Sequence, residues 1–199
     1  MQWLEQLDWD KQQGLLPAIV QDADTLQVLM LGYMDRDALR TTRETGRVTF
    51  FSRSRQRLWT KGESSGNVLE LVSLDVDCDG DTLLVQARPR GPTCHLGRPS
   101  CFPDAPADFL AGLDRLVARR ERERPPGSYT TSLFESGTRR IAQKVGEEGV
   151  ETALAAVAQD GQALAGEGAD LLYHLLVLLH ARGLSLADVE AVLRERHRG

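Results

Sequence analysis

The five residues Pro103-Asp104-Ala105-Pro106-Ala107 divide the sequence into two halves of different character. They include two prolines and no large apolar side chain, which is typical of an exposed linker between domains. Before them, short runs rich in β-branched and aromatic residues alternate with turn residues, whereas after them apolar residues recur with the period of a helix. We therefore predict a β-rich α+β domain at residues 1–103 and an all-α helical-bundle domain at residues 104–199.

Five strands and one helix are predicted in the N-terminal half. The strands are residues 16–20, 26–31, 48–52, 68–76 and 82–87. Asp35 is a suitable N-cap for the helix, and Gly46 is a suitable stop for it. The turn Asp79-Gly80-Asp81 joins the last two strands into a hairpin and places Cys78 at its tip.

Four helices are predicted in the C-terminal half, and no strand-like stretch follows residue 110. The first begins near Phe109 and is broken by Pro125-Pro126, and Ser185 is a suitable N-cap for the last. The other three helices are residues 141–158, 163–181 and 186–196.

Two apolar features of these helices predict burial. One face of the second helix carries Ile141, Val145, Val150, Leu154 and Val157. The third helix contains the run 171–179, which is almost entirely apolar. We expect both to pack inside the bundle.

Composition and the N-terminus exclude several classes of function. Lys and Arg number 24 against 29 Asp and Glu, a net charge of -5, whereas nucleic-acid backbones are normally bound by a basic excess. The first ten residues include three acids and lack the basic start and apolar run of a secretory signal. The longest apolar run is much shorter than the roughly 20 residues that cross a bilayer. We therefore expect a cytoplasmic protein that binds neither nucleic acid nor membranes.

The three cysteines Cys78, Cys94 and Cys101 lie within one short stretch of the N-terminal half. An odd number without a secretory signal argues against a disulfide framework. Three thiolates suit zinc and leave one tetrahedral position for water, whose pKa zinc can lower to about 7. Two alternatives remain open: incidental cysteines, since no Cys-x-x-Cys pair is present, and a structural zinc site completed by His95.

Two further polar stretches have both a structural and a functional interpretation. Asp77, Asp79 and Asp81 flank Cys78, and carboxylates are the hard ligands that magnesium prefers, but Asp and Gly are also ordinary turn residues. The stretch 58–67, Leu-Trp-Thr-Lys-Gly-Glu-Ser-Ser-Gly-Asn, combines donors and glycines that suit a phosphate. It is equally compatible with a polar surface loop.

Three motifs, in this order, resemble the phosphoribosyl-AMP cyclohydrolases of histidine biosynthesis. They are Trp-Thr-Lys-Gly-Glu-Ser-Ser-Gly-Asn at 59–67, Asp-Cys-Asp-Gly-Asp at 77–81 and Cys-His-Leu-Gly-Arg-Pro-Ser-Cys-Phe at 94–102. The similarity covers about residues 16–102. It implies a homodimer whose zinc site is built from both subunits, and a reaction in which water opens the adenine ring of phosphoribosyl-AMP.

This resemblance implies roles for individual residues. The zinc ligands are Cys78, Cys94 and Cys101, and the magnesium ligands are Asp77, Asp79 and Asp81. Substrate contacts are expected from Arg53, Lys61, Ser64 and Ser65. His95 is next to a zinc ligand and is the expected general base. Leu96 and Pro99 replace the Thr and Arg usual in the family; neither position is a metal ligand, so the departure bears on the packing and substrate contacts of this loop.

The C-terminal half contains five carboxylates at helical spacing. Glu147, Glu148 and Glu151 project from nearly one face of a helix, and Glu167 and Asp170 are three apart on the next helix. If these helices pack antiparallel, the carboxylates converge and repel each other unless cations such as magnesium are present. A solvated acidic face is the open alternative, since acids near a helix N-terminus also have a structural cause.

The pattern Glu-Glu-x-x-Glu followed by Glu-x-x-Asp resembles the all-helical nucleotide pyrophosphohydrolases. The segments Tyr-Thr-Thr-Ser-Leu at 129–133 and Arg-Ile-Ala-Gln-Lys-Val-Gly-Glu-Glu at 140–148 narrow this to phosphoribosyl-ATP pyrophosphatase, over about residues 109–196. The resemblance implies that all five carboxylates hold magnesium and that Glu148 and Glu151 are catalytic. We expect Lys144 and Arg140 to contact phosphate.

The two resemblances support each other, because phosphoribosyl-AMP is the product expected of the C-terminal half and the substrate expected of the N-terminal half. The sequence thus predicts a bifunctional hydrolase for steps two and three of histidine biosynthesis. One rival is a general nucleotide pyrophosphatase with an inactive N-terminal domain, against which the intact cysteines argue. Another is a zinc-stabilised module that binds nucleotides without turnover. A zinc deaminase would carry His-x-Glu and Pro-Cys-x-x-Cys, which this sequence lacks.

Overall fold

Two units make up the chain, Met1–Phe109 and Leu110–Gly199. The structure is a computed structural model that describes residues 7–198, apart from the side chain of Gln12. Residues 1–6 and 199, the outer ends of the two predicted domains, lie outside the described residues. The first unit is β-rich and the second is helical, which confirms the predicted fold class.

Six strands and one α-helix are described in the first unit. They are β1 (Leu16–Asp22), β2 (Val28–Met34), α1 (Arg36–Thr45), β3 (Thr49–Ser52), β4 (Arg57–Thr60), β5 (Leu69–Val76) and β6 (Leu83–Pro89), preceded by a short 3-10 helix (Asp10–Gln12). A four-stranded sheet has the order β2-β1-β6-β5, in which β1 and β6 are parallel and the outer pairs are antiparallel. Strands β3 and β4 form a separate ribbon.

The local signals for the hairpin and the helix are confirmed. Strands β5 and β6 pair antiparallel up to their shared tip. The Oδ1 atom of Asp77 closes the tip by accepting from the main-chain N–H groups of Asp81 (3.0 Å) and Thr82 (3.1 Å). Asp35 caps α1 by accepting from a main-chain N–H of the first turn, and Gly46 ends it with φ +67°.

Strand β4 is missing from the prediction, which treats residues 58–67 as one polar segment. It pairs antiparallel with β3, so that Trp59 lies opposite Phe50 with 5.1 Å between the ring centroids. Phe50 is fully buried and belongs to the core of this unit. The strand is only four residues long, too short for its alternation to stand out from polar surroundings.

The two ends of the main sheet carry different cysteines. Cys94 follows the carboxyl end of β6, and the neighbouring Cys101 is held at the start of β2, where its N–H donates to the carbonyl of Leu29 (2.8 Å). Because β1 and β6 are parallel and β2 is antiparallel to β1, these positions share one end of the sheet. Cys78 lies at the hairpin tip, beyond the other end of β6. The seven residues of β6 extend about 23 Å at the usual rise per residue of a strand.

The second unit consists of five helices, and residues 110–198 contain no strand. The helices are α2 (Phe109–Glu123), α3 (Tyr129–Ser136), α4 (Thr138–Ala158), α5 (Gly161–His180) and α6 (Leu186–Arg196). The break after α2 and the cap at Ser185 are confirmed, the latter as a capping box with Asp188. Helix α3 is missing from the prediction, because its eight residues give little periodicity, although Ser128 caps it by accepting from Thr131 N.

The expected burial of α4 and α5 is only partly correct. Ile141 is fully buried, whereas Val150, Leu154 and Val157 are 61%, 54% and 82% exposed, and Leu172 in α5 is 46% exposed. The periodicity shows which side of a helix is apolar, but none of the described residues of the second unit buries the far end of this face. No helix among the described residues combines the length and apolar character needed to cross a bilayer.

We expect Gly32→Ala to destabilise the first unit by about 1–3 kcal/mol, because overpacking forces the core to shift. A Cβ atom on Gly32 would lie 2.3 Å from Cδ1 of Phe50. Chemical denaturation followed by tryptophan fluorescence measures this unit, since the three tryptophans, at positions 3, 9 and 59, all precede the linker. In a Phe50→Leu background the added methyl group should cost less. An equal cost in both backgrounds would contradict the packing explanation.

Candidate active sites

A cavity of about 520 Å³ lies at the end of the sheet that carries Cys94 and Cys101. Its walls include the predicted phosphate-binding residues Lys61, Ser64 and Ser65. They also include Cys94, His95 and Cys101. Two motifs that are some thirty residues apart in sequence therefore meet in one concave site, which suits a small polar ligand.

The thiols of Cys94 and Cys101 are close enough to hydrogen-bond each other. Burial raises the pKa of the Cys101 thiol, and the nearby Cys94 raises it further, while Lys61 acts in the opposite direction. Two adjacent thiols, of which Cys101 has a raised pKa, gain from a cation that stabilises both as thiolates. Their sulfur donors fit zinc, which prefers such soft ligands.

Lys61 is half-buried at the edge of the same cavity. Burial lowers the pKa of its ammonium group, and the Cys101 and Cys94 thiols partly oppose this. Its Nζ lies 3.5 Å from the main-chain oxygen of Asn67. Gly62 permits the loop to close, because a Cβ at its φ of +85° would lie 2.4 Å from the carbonyl carbon of Asn67.

Cys78 is not brought together with the other two cysteines within one chain. Among the described residues, the groups able to hold a metal include Asp77, Asp79 and Asp81 but no cluster of the three thiols. The hairpin explains this, since Cys78 is exposed at its tip and Cys94 follows the opposite end of β6. The sequence showed the clustering of the cysteines along the chain, but not the direction of the strands between them.

The carboxylates at the hairpin tip form a compact group. One oxygen from each of Asp77, Asp79 and Asp81 lies within 4.8 Å of the others, a spacing that suits a hard divalent cation such as magnesium. The ammonium group of Lys11 pairs with Asp79 and lies 2.7 Å from Asp81. These contacts hold the pKa of Asp81 below its usual range and raise the pKa of Lys11. Nothing in the sequence pattern identified Lys11 as a partner of these carboxylates.

Arg53, a predicted substrate contact, lies outside the cavity of its own chain. Its guanidinium carbon is 3.9 Å from the centroid of the Tyr33 ring, a cation–π arrangement. With Lys11, Gln13 and Leu15 it lines a smaller depression of about 370 Å³. Since Lys11 also binds the tip carboxylates, Arg53 belongs to the hairpin-tip end of the unit.

The second unit brings three of its five predicted ligands together. Glu148 and Glu151 on α4 and Glu167 on α5 each place a carboxylate oxygen within 4.8 Å of the others. Glu148 is only 5% exposed, and a hydrogen bond from Lys144 holds its pKa below the usual range. Loss of hydration raises the pKa of Glu151, and the neighbouring Glu148 carboxylate raises it further.

Glu147 and Asp170 stand outside this group. The Glu147 carboxylate accepts from Gln143 Nε2 (2.8 Å) and Lys144 Nζ (2.9 Å) and lies 3.6 Å from Arg140 Nη1. The two predicted phosphate contacts are thus engaged with carboxylates: Lys144 also reaches Glu148 at 2.8 Å. A lysine ammonium group lies against each acidic group, where it partly neutralises their mutual repulsion.

Sequence reasoning missed His174 and Tyr129 as neighbours of the acidic group. His174 is 4% exposed and its Nδ1 lies 3.5 Å from Oε1 of Glu148. The hydroxyl of Tyr129 lies 3.0 Å from Nε2 of the same imidazole. The interruption of the apolar run 171–179 by two polar aromatic residues was the available signal.

Two family models match the chain in the order of its two units. Phosphoribosyl-AMP cyclohydrolase matches residues 30–103, and phosphoribosyl-ATP pyrophosphohydrolase matches residues 110–197. The chain is similar over nearly its whole length to proteins named histidine biosynthesis bifunctional protein HisIE. It is 73% identical to that of Xanthomonas axonopodis pv. citri (strain 306), with 98% of this chain and 94% of the relative covered.

More distant relatives with the same name show the same extent of similarity. The identity is 60% to the protein of Shewanella oneidensis, over 96% of this chain and 92% of the relative. It is 57% to the protein of Yersinia pestis, over 98% of this chain and 97% of the relative. Matches of this length and identity show that the chain belongs to the HisIE family of bifunctional histidine-biosynthesis proteins, in which a phosphoribosyl-AMP cyclohydrolase domain precedes a phosphoribosyl-ATP pyrophosphohydrolase domain.

Proposed function

We propose that this chain catalyses steps two and three of histidine biosynthesis with a magnesium site in its C-terminal half and a zinc site in its N-terminal half. The C-terminal domain, residues 104–199, hydrolyses phosphoribosyl-ATP to phosphoribosyl-AMP and pyrophosphate. The N-terminal domain, residues 1–103, then opens the adenine ring. The observation that carries this proposal is that each unit has its own group of metal-suited donors, thiols beside a cavity in one and carboxylates gathered around the buried Glu148 in the other. The relatives are named for an amino-acid biosynthesis, and we place this chain with them in the cytoplasm.

For ring opening, the cavity supplies the substrate contacts. Lys61, Ser64 and Ser65 bind the phosphate of phosphoribosyl-AMP through an ammonium group and two hydroxyls. Cys94 and Cys101 hold zinc, which when bound supplies Lewis acidity and lowers the pKa of a water ligand to about 7. An imidazole nitrogen of His95 accepts a proton from the attacking water, a role supported by its place on the cavity wall beside Cys94.

A second copy of the chain completes this site. Cys78 of a single chain lies beyond the opposite end of β6 from Cys94, so we propose that the third thiolate is the partner subunit's Cys78. The tip that carries it also carries the magnesium-suited carboxylates Asp77, Asp79 and Asp81, and Arg53 is at the same end. A symmetric homodimer would thus bring all the predicted cyclohydrolase residues to each of two equivalent sites.

For pyrophosphate release, α4 and α5 supply the carboxylates. Glu148, Glu151 and Glu167 form the centre of the magnesium site, and Glu147 and Asp170 are its outer members. These carboxylates would hold magnesium, which would supply positive charge to the phosphates of the substrate. Glu148 and Glu151 orient the attacking water and accept its proton, while Lys144 and Arg140 exchange their carboxylate partners for phosphate oxygens.

The direct test is turnover of phosphoribosyl-ATP by the purified protein with magnesium and zinc, followed by mass spectrometry. We expect pyrophosphate and the ring-opened product. Cys101→Ala should stop the reaction at phosphoribosyl-AMP, because it removes a zinc ligand, and Glu148→Ala should block pyrophosphate release. Pyrophosphate without ring opening by the zinc-loaded wild-type protein would overturn the assignment of the N-terminal unit.

Mixing two inactive variants tests the shared zinc site. Cys78→Ser and Cys101→Ser should each abolish ring opening, because every site then lacks one ligand. Co-refolded in equal amounts, they should recover about a quarter of wild-type activity, since half of the dimers are mixed and each mixed dimer has one intact site. Cys94→Ser mixed with Cys101→Ser is the matched control and should recover nothing. Equal recovery from both mixtures would contradict a site that takes Cys78 from the partner.

Glu151→Gln should raise the melting temperature of the metal-free protein at neutral pH. The raised pKa of Glu151 means that the folded chain binds this proton more tightly than the unfolded chain, so ionisation above the unfolded pKa weakens folding. Magnesium should stabilise the helical unit of the wild type and not that of the variant, since binding to the folded state alone raises stability. Far-ultraviolet circular dichroism follows the helices, and Glu195→Gln, an exposed residue of α6, is the control. A magnesium shift as large in Glu151→Gln as in the wild type would rule out Glu151 as a ligand.

A further inference from the structure

His174 is an imidazole buried among apolar neighbours of α5. The residue is 4% exposed, and the nearby Leu176 and Val177 on the same helix belong to the core of the second unit. A leucine would fill such a position without the cost of removing two ring nitrogens from water. The contacts of those nitrogens therefore show what the imidazole contributes.

Each ring nitrogen of His174 has a partner. Nδ1 lies 2.9 Å from the main-chain oxygen of Asp170 and 3.5 Å from Oε1 of Glu148, and Nε2 lies 3.0 Å from the hydroxyl of Tyr129. A carbonyl oxygen can only accept, so Nδ1 carries the proton and donates. In the neutral ring Nε2 then accepts from Tyr129, and the tautomer is determined by the surroundings.

Nδ1 lies near two acceptors on different helices, the main-chain oxygen of Asp170 and the carboxylate of Glu148. Asp170 is one helical turn before His174 on α5, and Glu148 belongs to α4. Lys144 Nζ also contacts Oε1 of Glu148, at 2.8 Å, so both neighbours lie close to the same carboxylate oxygen. The imidazole thus donates to the main chain of its own helix, and the same N–H lies beside the carboxylate of the other helix.

We propose that His174 is a positioning residue of the pyrophosphohydrolase site, which orients the buried Glu148 carboxylate through Nδ1–H and is itself oriented by the Tyr129 hydroxyl. The proposal rests on the assignment of Glu148 and Asp170 as magnesium ligands in the proposed function. Residues that orient metal ligands in this way commonly change metal affinity about 10–100-fold when they are replaced.

Three replacements of His174 distinguish the contributions of its two ring nitrogens. Asparagine places its amide N–H near the position of Nδ1, and glutamine places its amide near the position of Nε2. Phenylalanine fills the volume of the imidazole without a polar group at either position. We expect His174→Gln and His174→Phe to weaken Mn²⁺ binding about 10–100-fold, and His174→Asn to stay close to the wild type. The readout is the electron paramagnetic resonance of free Mn²⁺ titrated into the full chain. All proteins in this comparison carry Asp79→Asn and Asp81→Asn. These changes remove two of the three clustered carboxylates at the hairpin tip of the other unit, so that Mn²⁺ binding is measured in the helical unit.

Folding of the helical unit is checked by far-ultraviolet circular dichroism of the same single variants in the otherwise natural chain, whose spectra should match the wild type. Turnover by the first unit is a second control. Ring opening of added phosphoribosyl-AMP should remain at the wild-type rate in His174→Phe, because His174 belongs to the other unit. Wild-type Mn²⁺ affinity in His174→Phe would overturn the proposal. A loss as large in His174→Asn as in His174→Phe would overturn the role of Nδ1–H.

The tautomer is tested without metal or substrate. The chain has four histidines, and comparison with His174→Asn identifies the ¹⁵N signals of His174 in the metal-free protein. We expect the Nδ1–H form of the neutral ring, and the Nε2–H form would contradict the assignment. If Glu148→Ala still releases pyrophosphate, the proposed function fails. If that variant is inactive while His174→Phe binds Mn²⁺ normally, only the positioning role fails.

Discussion

The antiparallel pairing of β5 with β6 is the constraint on which the N-terminal half depends. It puts Cys78 and three carboxylates at one end of a strand and leads the chain towards Cys94 at the other. The parallel pairing of β6 with β1 then brings the segment around Cys101 to the Cys94 end. A chain built in this way divides its own donors between two ends, and in the proposed homodimer a second copy would return them to one place.

Repulsion between carboxylates shapes both halves in the same way. Asp79 and Asp81 share the ammonium group of Lys11, and Glu147 and Glu148 share that of Lys144. In each group a lysine supplies the positive charge that permits the acids to stay ionised and close together, since an opposite charge favours the charged form. Glu151 has no hydrogen bond from a lysine among the described residues, and loss of hydration together with repulsion from Glu148 raises its pKa.

Local signals in the sequence were sufficient for much of this structure. The cap at Asp35, the stop at Gly46 and the hairpin turn depend on a few adjacent residues, and all are present. Ordered motifs also sufficed to associate Lys61 with Cys94, because both follow from the resemblance to one family. Strand β4 and helix α3 were missed, since each is too short to show a period.

What the sequence did not reveal depends on contacts between distant segments. The separation of Cys78 from Cys94 follows from strand direction, and the place of Arg53 beside Tyr33 follows from packing. The exposure of Val157 depends on what covers α4, which periodicity along one helix does not report. His174 appeared only as a break in an apolar run, since its side-chain partners Tyr129 and Glu148 lie on α3 and α4.

The lysine beside each acidic group also affects which metal ions would gain electrostatic attraction by binding there. A sodium or potassium ion that displaced Lys11 or Lys144 would bring no more charge than the ammonium group it replaced, and would have to break that group's hydrogen bonds. A divalent ion brings one additional positive charge to the same oxygens, and Coulomb attraction grows in proportion. At the metal sites that we propose, the two groups would therefore favour divalent over monovalent ions, because a lysine ammonium group already supplies one positive charge.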